Sequence, residues 1–459
     1  MRNKNNSTQM TQIKQIKKDK NSGNQSDQRH QRSIPPHWSW VKLGDVCKVK
    51  GGFAFKSKDY TKEGIPLVRI SNIEDKEISL EDCVYIQPDD EEKVKEFLLH
   101  KGDILIALSG ATTGKYGIYK LKQKALLNQR IGRLHFNGSD KIIPSFVYLY
   151  LEIIRYEILK TAYGAAQPNI SPTEIAEFQI PLPPLHEQKK IVEKIEELFS
   201  SLDAGVAALK KAKEQLRLYR QSVLSAAFSG KLVNGERLNG IQVVNKAAES
   251  KVEYNNNGLP AGWKWVKLGD VSEEVEMVQK KNQNPEDEFV YYDIGGINNI
   301  TNRIESFKRY KWKNAPSRAR QIVMNGDILF STVRTYLKNI ALLNNEFEFQ
   351  IASTGFCVIR PKNQVLISKY IFHYSLYKEF LEPLNALQTG SSYPAVRNND
   401  VFNQKIPLPP LDQQHQIVSE IEKRFSQADN LEKAIDESLK KAEALRQSIL
   451  KQAFEGKLI

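Results

Sequence analysis

The sequence predicts a tandem α/β protein: two α/β domains, each followed by a long helix, with the two helices paired as an antiparallel coiled coil about an approximate two-fold axis. Three observations predict it. The same segments recur about 225 residues apart; short β-branched runs alternate with Gly, Asn and Asp; and two later stretches switch to an apolar period of four and three.

The repeat is the firmest of the three. "WVKLGDV" stands at Trp40 to Val46 and again at Trp265 to Val271, an offset of 225, and "KGDILIALS" from Lys101 matches "NGDILFSTV" from Asn325 at 224. "YGAAQPNIS" from Tyr163 pairs with "TGSSYPAVR" from Thr389, and "AAFSGKL" from Ala226 with "QAFEGKL" from Gln452, both at 226. Such a period far exceeds that of a solenoid, so each copy is a whole domain plus a helix.

Residues 1–33 read as a disordered polar tail with eight Lys or Arg against Asp19 and Asp27, and they carry about half of the net charge of +13. A basic excess suits a polyanionic partner such as nucleic acid, and the tail weakens that inference for the remainder. No run of eighteen apolar residues exists, so no membrane span is expected. The N-terminus lacks the apolar stretch of a secretory signal. Cys47, Cys83 and Cys357 are odd in number and scattered, which fits a reducing cytoplasm and makes neither a disulfide framework nor a zinc site.

The first domain, 34–185, holds strand-like runs such as "PLVRISNI" and "GDILIALS" and a helical patch "SFVYLYLEIIRYEIL". It closes on Pro-Leu-Pro-Pro-Leu, read as an extended stiff connector because proline continues neither a ladder nor a helix interior. In the central long helix, 186–232, Ile191, Ile195, Leu198, Leu202, Gly205, Leu209, Ala212, Leu216, Tyr219 and Val223 keep the four-three period of a coiled-coil seam. A linker, 233–257, leads to the second domain, 258–411. In the C-terminal long helix, 412–459, Ile417, Ile421, Ala428, Leu431, Ile435, Ala442, Leu445 and Ile449 keep the same register, interrupted by Arg424 and Ser438. At about 1.5 Å per residue each helix runs roughly 65 Å, which calls for a partner along its seam. The two can satisfy each other by lying antiparallel; alternatively each packs on its own domain.

The order of an α/β domain with "GDILIALSGATTGKYGIY", the closing "IPLPPLHEQKKIVEKIEEL", a helix ending "RQSVLSAAFSGKL" and a second cycle ending "RQSILKQAFEGKL" resembles the specificity subunit of type I restriction-modification enzymes, from Pro35 to Ile459. The resemblance implies two target recognition domains that each read one half of a bipartite DNA sequence, spaced by the coiled coil. It implies a non-catalytic chain that binds no cofactor or metal. Its expected partners are double-stranded DNA, two methyltransferase (modification) subunits bringing S-adenosylmethionine, and restriction/translocase subunits using ATP and Mg, in DNA methylation and phage defence. A second reading makes the helices a structural scaffold whose α/β domains bind proteins.

The resemblance carries over architecture and not contacts, so candidate contacts come from chemistry. Phosphates attract Lys and Arg, and base edges suit Arg, Asn, Gln, Ser and Thr on loops. In the first domain these are Lys56 and Lys58 in "GGFAFKSKDY", Ser109, Thr112, Thr113, Lys115 and Tyr116 in "SGATTGKYG", and Gln129 with Arg130, which could equally brace the core. The Gly-rich segment also fits an ordinary hairpin turn. In the second domain they are Ser331, Thr332, Arg334, Thr335, Tyr336 and Lys338 in "STVRTYLKN", with Lys308, Arg309 and Lys311 in "FKRYKWKN", which also fits a solvated strand edge. Loops Gly164 to Asn169 and Gly390 to Arg397 are weaker candidates.

Enzyme motifs fail on spacing. "GATTGK" is one residue short of a phosphate-binding loop and continues with Tyr116. "HEQKK" at His186 lacks the second histidine of a zinc hydrolase. "PDDEEK" from Pro88 and "NPED" from Asn284 match nuclease and methyltransferase signatures only superficially.

Overall fold

The computed structural model describes residues 34–232, Asn255 and 258–459, apart from 75, 89–90, 111, 137–139, 164–167 and 391–392. The expected tail 1–33 lies outside the described residues, as does all of the expected linker 233–257 but Asn255. The chain forms two compact units, 1–208 with 438–459 and 209–437. Each long helix therefore contributes to both.

In the first unit the apolar run Ile104–Ala107 is a fully buried strand inside a six-stranded sheet ordered Lys48–Gly51, Ile131–His135, Ile104–Ala107, Tyr116–Ile118, Glu77–Ile78, Ile73–Glu74. An uninterrupted apolar strand is covered on both faces. Ile104 and Ile106 join the core with the helix Pro144–Ala162, while Leu105 and Ala107 join Val68 and Leu127 of the neighbouring five-stranded sheet. This is the two-residue alternation of a strand. The helix starts on Pro144, where a missing N–H costs nothing, and buries Phe146, Val147, Tyr150, Leu151, Ile154 and Ile158.

The proline segment differs from expectation. Its first half is a strand, Gln179–Leu182, paired antiparallel with Ser39–Lys42 so that Trp40 lies opposite Pro181. A two-stranded ladder consists only of edges, where proline is tolerated. The helix Leu185–Phe228 begins three residues later and is clamped by Gln188. This fully buried amide donates to the carbonyls of Pro183 (2.8 Å) and Lys141 (2.9 Å) and accepts from the N–H of Ile143 (2.8 Å). Trp38 adds an indole bond to Glu187 at 2.8 Å. The unit is completed by the end of the other long helix, Leu411–Phe454: Phe454 meets Phe146 and Tyr150 edge-on, with ring centroids 4.9 and 5.0 Å apart. Arg446 bonds Asp203 at 2.6 Å while its guanidinium lies 3.9 Å from the Phe199 ring.

The second unit repeats the plan. Ile328–Ser331 is the buried strand of a four-stranded sheet ordered Ser272–Glu273, Phe356–Pro361, Ile328–Ser331, Ile340–Leu342; a second sheet runs Lys308–Lys311, Glu288–Tyr292, Gln350–Ser353, Ala319–Ile322. Trp265 lies opposite Pro407 in the ladder of Lys264–Lys267 with Lys405–Leu408. Gln414 repeats the clamp on Pro409, Val365 and Ile367, and the Trp263 indole bonds Gln413 at 2.7 Å. Phe228, ending the central helix, packs against Tyr370 and Tyr374 at 5.4 and 4.8 Å. The helices here run antiparallel: Lys213 pairs with Asp436 and Arg220 with Asp429, both at 2.7 Å.

Of the expected seam positions, Ile191, Ile195, Leu216, Val223, Ile417, Ile421, Ala428, Ile435 and Ile449 are buried, and Leu198, Leu202, Leu209, Ala212, Tyr219 and Ala442 are half-buried. The first turns of each helix share a core with their own domain, so both readings of the helices are realised along different parts of each. Leu431 and Leu445 are corrections: they are 53% and 51% exposed. Inter-helix ion pairs shift the stripe by one residue, bringing Glu432 to Lys213 and Arg220, and Arg446 to Asp203. Gly205 is exposed, and Val206 takes its place.

Candidate nucleic-acid interface

In both units the buried "GDIL" strand runs into a loop that returns as the next strand, and backbone bonds lace that loop to a distant segment. In the first unit Ser109 bridges Asn169, the Gly110 N–H donates to Pro168 (3.1 Å), and Ile170 donates to Leu108 (2.8 Å). In the second, Val333 bridges Ala395, Arg334 donates to Pro394 (2.7 Å), and Val396 donates to Thr332 (3.0 Å). The segment after the buried strand thus meets a second candidate segment in each unit, at residues 168–170 in the first and 394–396 in the second. The first unit adds two more: Leu108 donates to Arg130 at 2.9 Å, and Gln129 donates to Phe53 at 2.9 Å. Lys56, Lys58 and Arg130 are exposed there, and Ser109, Thr112 and Lys115 are half-buried.

Several expected contacts turn inward. Thr113 is 1% exposed and donates to the Gly110 carbonyl at 2.7 Å. Tyr116 is buried and donates to Glu152 at 2.5 Å. Burial, then the Glu152 charge, pushes the Tyr116 phenol well above its usual range. Burial also opposes ionisation of Glu152, but Lys76, Tyr116 and Arg155 outweigh it and leave that carboxyl below its ordinary value. In the second unit Ser331 donates to Val333 and Thr332 to Gly355, each at 3.0 Å, and Thr335 donates to Asn385 at 2.5 Å; all three are buried. Short hydroxyls satisfy nearby carbonyls when a turn buries them, so Thr113, Ser331, Thr332 and Thr335 brace the loops, while Tyr116 ties its strand to the helix that carries Glu152.

What the second loop exposes is Tyr336, 52% accessible, with Arg334 held 5.0 Å over the ring of the exposed Tyr393. Lys338 is half-buried, and burial, with the Arg217 charge added, lowers its pKa.

The basic strand Lys308–Lys311 lies in the other sheet, as its edge. Lys308 pairs with Asp293 (2.6 Å), Lys311 and Lys313 with Glu286 (3.1 and 2.8 Å), and Arg309 lies over Phe347 at 5.2 Å. These cations already have partners, which favours the solvated-edge reading.

Sequence reasoning passed over Arg318 and Arg320, both exposed and flanking the fully buried Ala319, whereas Tyr393 falls in the loop Gly390 to Arg397 that the sequence offers as a weaker candidate. The alternation in "SRARQ" is the signal that would have found the arginines. The Arg318 carbonyl accepts from Thr354, next to the Gly355 that holds Thr332, which places this strand beside the loop.

The family model for the type I restriction modification DNA specificity domain matches residues 35–215 and again 260–441. The chain belongs to the type I restriction-modification specificity family. The specificity subunit of the type I restriction enzyme EcoBI from Escherichia coli is 25% identical over 93% of this chain and 87% of its own length. The EcoKI specificity subunit from Escherichia coli K12 is 26% identical over 93% and 90%. The putative MjaX specificity subunit from Methanocaldococcus jannaschii is 26% identical over 93% and 94%. Among solved structures, a chain from work on complex assembly and conformational transition in a type I system aligns with a TM-score of 0.67 at 21% identity, over 93% of this chain and 99% of that one. The HsdS subunit from Thermoanaerobacter tengcongensis aligns at 0.52 and 21%, over 94% and 100%. Both show the fold.

As a specificity subunit the chain is a DNA-recognition component and not a catalyst, and specificity subunits work with other subunits and with DNA. The scaffold reading gains no support from these relatives. Glu187 of "HEQKK" is engaged by Trp38 and His37, which ties it to the joint between domain and helix. Among the described residues no helix is long and apolar enough to cross a membrane.

Proposed function

We propose that the chain reads a bipartite duplex DNA target, each domain contacting one half-site through its laced loop pair, and that the long helices set the gap between half-sites. The observation that carries this reading is the duplication itself: equivalent strands end in loops laced by equivalent backbone bonds, and the side chains on them differ. Lys56, Lys58, Lys115, Arg130, Arg318 and Arg320 supply phosphate contacts, with Ser109, Thr112, Arg334, Tyr336 and Lys338 nearer the bases. The chain acts in the cytoplasm and binds no cofactor. Two methyltransferase subunits bring S-adenosylmethionine, and restriction and translocase subunits use ATP with magnesium.

Mapping methylated bases in cells that express the chain with its methyltransferase subunits tests the proposal. The expected result is one bipartite motif with a fixed gap, of which exchanging residues 258–411 changes one half only. A continuous motif, or change in both halves, contradicts it. Footprints of the complex should show two protected patches about one or two helical turns apart, with affinity falling steeply with salt.

A further inference from the structure

We propose that the hairpin 297–304 is part of the second domain's reading surface, and that Ile300 at its tip reads a thymine of that half-site by packing on the base's methyl group. The proposal rests on the bipartite reading above and adds one specificity-determining residue to it.

The laced loop turns left-handed at matching places in the two copies: Arg334 and Lys338 adopt φ of 51° and 56° where the first copy has Gly110 and Gly114 at 84° and 77°. The hairpins beside the strand that returns from it do not match. Each follows a short helical turn, Ile70–Asn72 in the first copy and Ile294–Gly296 in the second. In the first, Ile73 lies opposite Ile78 and Glu74 opposite Glu77, which leaves two residues for the tip. In the second, Ile297 lies opposite Ile304 and Asn298 opposite Arg303, which leaves four. The shorter tip is held by its own domain, since the Lys76 carbonyl accepts from the Tyr148 hydroxyl (2.9 Å) and the Ile118 N–H (3.2 Å). The longer one carries Ile300, 85% exposed.

A lone exposed isoleucine is ordinary on a surface, but turn tips belong to Gly, Asn, Asp and Ser, and this tip is fixed by side-chain bonds. The Asn298 amide accepts from the N–H groups of Ile300 (2.8 Å) and Thr301 (3.1 Å) and donates to Glu305 (2.6 Å). Asn302, left-handed at φ 53°, donates to the carbonyls of Lys338 (2.8 Å) and Ile340 (3.2 Å). The added residues are thus fastened to the loop that exposes Tyr336 and Leu337.

The surroundings favour duplex DNA over a protein as the occupant. Arg303 is exposed at the end of the turn, Asn302 holds the carbonyl of another cation, and the Glu305 carboxylate is engaged by Asn298. A two-stranded ribbon fits the major groove. An aliphatic side chain makes no hydrogen bond, so among the base edges there it favours the one that presents an apolar group, the C5-methyl of thymine.

The test uses the full chain in complex with its methyltransferase subunits and duplexes in which uracil replaces thymine one position at a time, removing only the methyl group. Wild type should lose affinity by about three- to ten-fold, the worth of one buried methyl, at one thymine of the half-site that changes when residues 258–411 are exchanged. Ile300→Ala should melt as wild type does, bind the unmodified duplex more weakly by a similar factor, and be indifferent to uracil at that position. Both proteins should treat the other half-site alike. Ile300→Ala that still distinguishes thymine from uracil overturns the proposal, as does a half-site with no thymine sensitive to the replacement. Equal weakening on both duplexes marks a contact other than the methyl, and weaker assembly with the methyltransferase subunits without DNA marks a protein surface; either overturns it. A wild-type complex with no bipartite motif overturns the reading beneath, and the proposal falls with it.

Discussion

Gln188 and Gln414 stand 226 positions apart and make the same three bonds: two to carbonyls, one of them in the proline run, and one from a backbone N–H that opens a helix of the domain. Gly110 and Arg334 occupy the same corner of equivalent loops, donate to the same kind of carbonyl partner, and have no side chain in common. The contrast shows where each copy was free to differ. The buried joint between domain and helix has a single chemical solution, so it is written twice. The loop surface owes its backbone path to the fold, and its exposed side chains differ between the copies.

The largest test of that contrast is at the helix ends. Phe454→Ala and Phe228→Ala should each cost about 3 to 5 kcal/mol in thermal unfolding of the unit concerned. Very unequal losses would break the equivalence of the copies. Next, Gln188→Leu and Gln414→Leu each strand three buried backbone groups and should cost roughly 2 to 4 kcal/mol, again alike, in denaturant melts.

A pH dependence separates the copies instead. In the second unit burial holds His373 down to about 4, with Glu422 pulling upward and Lys369 downward. Its neutral form is favoured by folding, so the contribution is full above about pH 6.5 and is lost as pH falls toward 4, by roughly 3 kcal/mol at most. Melting followed over that range should show the slope, and His373→Leu should flatten it.

Smaller effects sharpen the boundary of the reading surface. Arg334→Gly should stay within about 1 kcal/mol of wild type: relief of left-handed strain is offset by glycine's entropy and the lost ring contact. Leu431→Gln should change stability by less than about 0.5 kcal/mol, whereas Ile435→Gln, four residues on and 5% exposed, should be clearly destabilising. Equal losses at the two would restore the seam expected from sequence.

The parts legible in the sequence were those that repeat or have a period: the two domains, the buried "GDIL" strands, and the long helices. The seam phase was not legible at Leu431 and Leu445, because ion pairs from the other helix decide which neighbour turns inward. Nor was the direction of the hydroxyls of Thr113, Ser331, Thr332 and Thr335, since a serine or threonine in a turn reads the same whether it bonds its own loop or faces out. Lys308 and Lys311 looked available because Asp293 and Glu286 lie 15 and 25 residues away in sequence and reach them only through folding. Pro181 shows the opposite failure, where a sound rule about ladders overlooked that a two-stranded one is all edge.

The second unit is made from a continuous stretch, 209–437, whereas the first needs 438–459 to seat Phe454 against Phe146 and Tyr150. During synthesis the ribosome therefore makes the whole second unit between the first domain and the segment that buttresses it. Until then the aromatic socket stands open, and a nascent chain interrupted after the second unit carries an unfinished first one. A stop codon near residue 445 should unsettle the start of the protein and spare its middle.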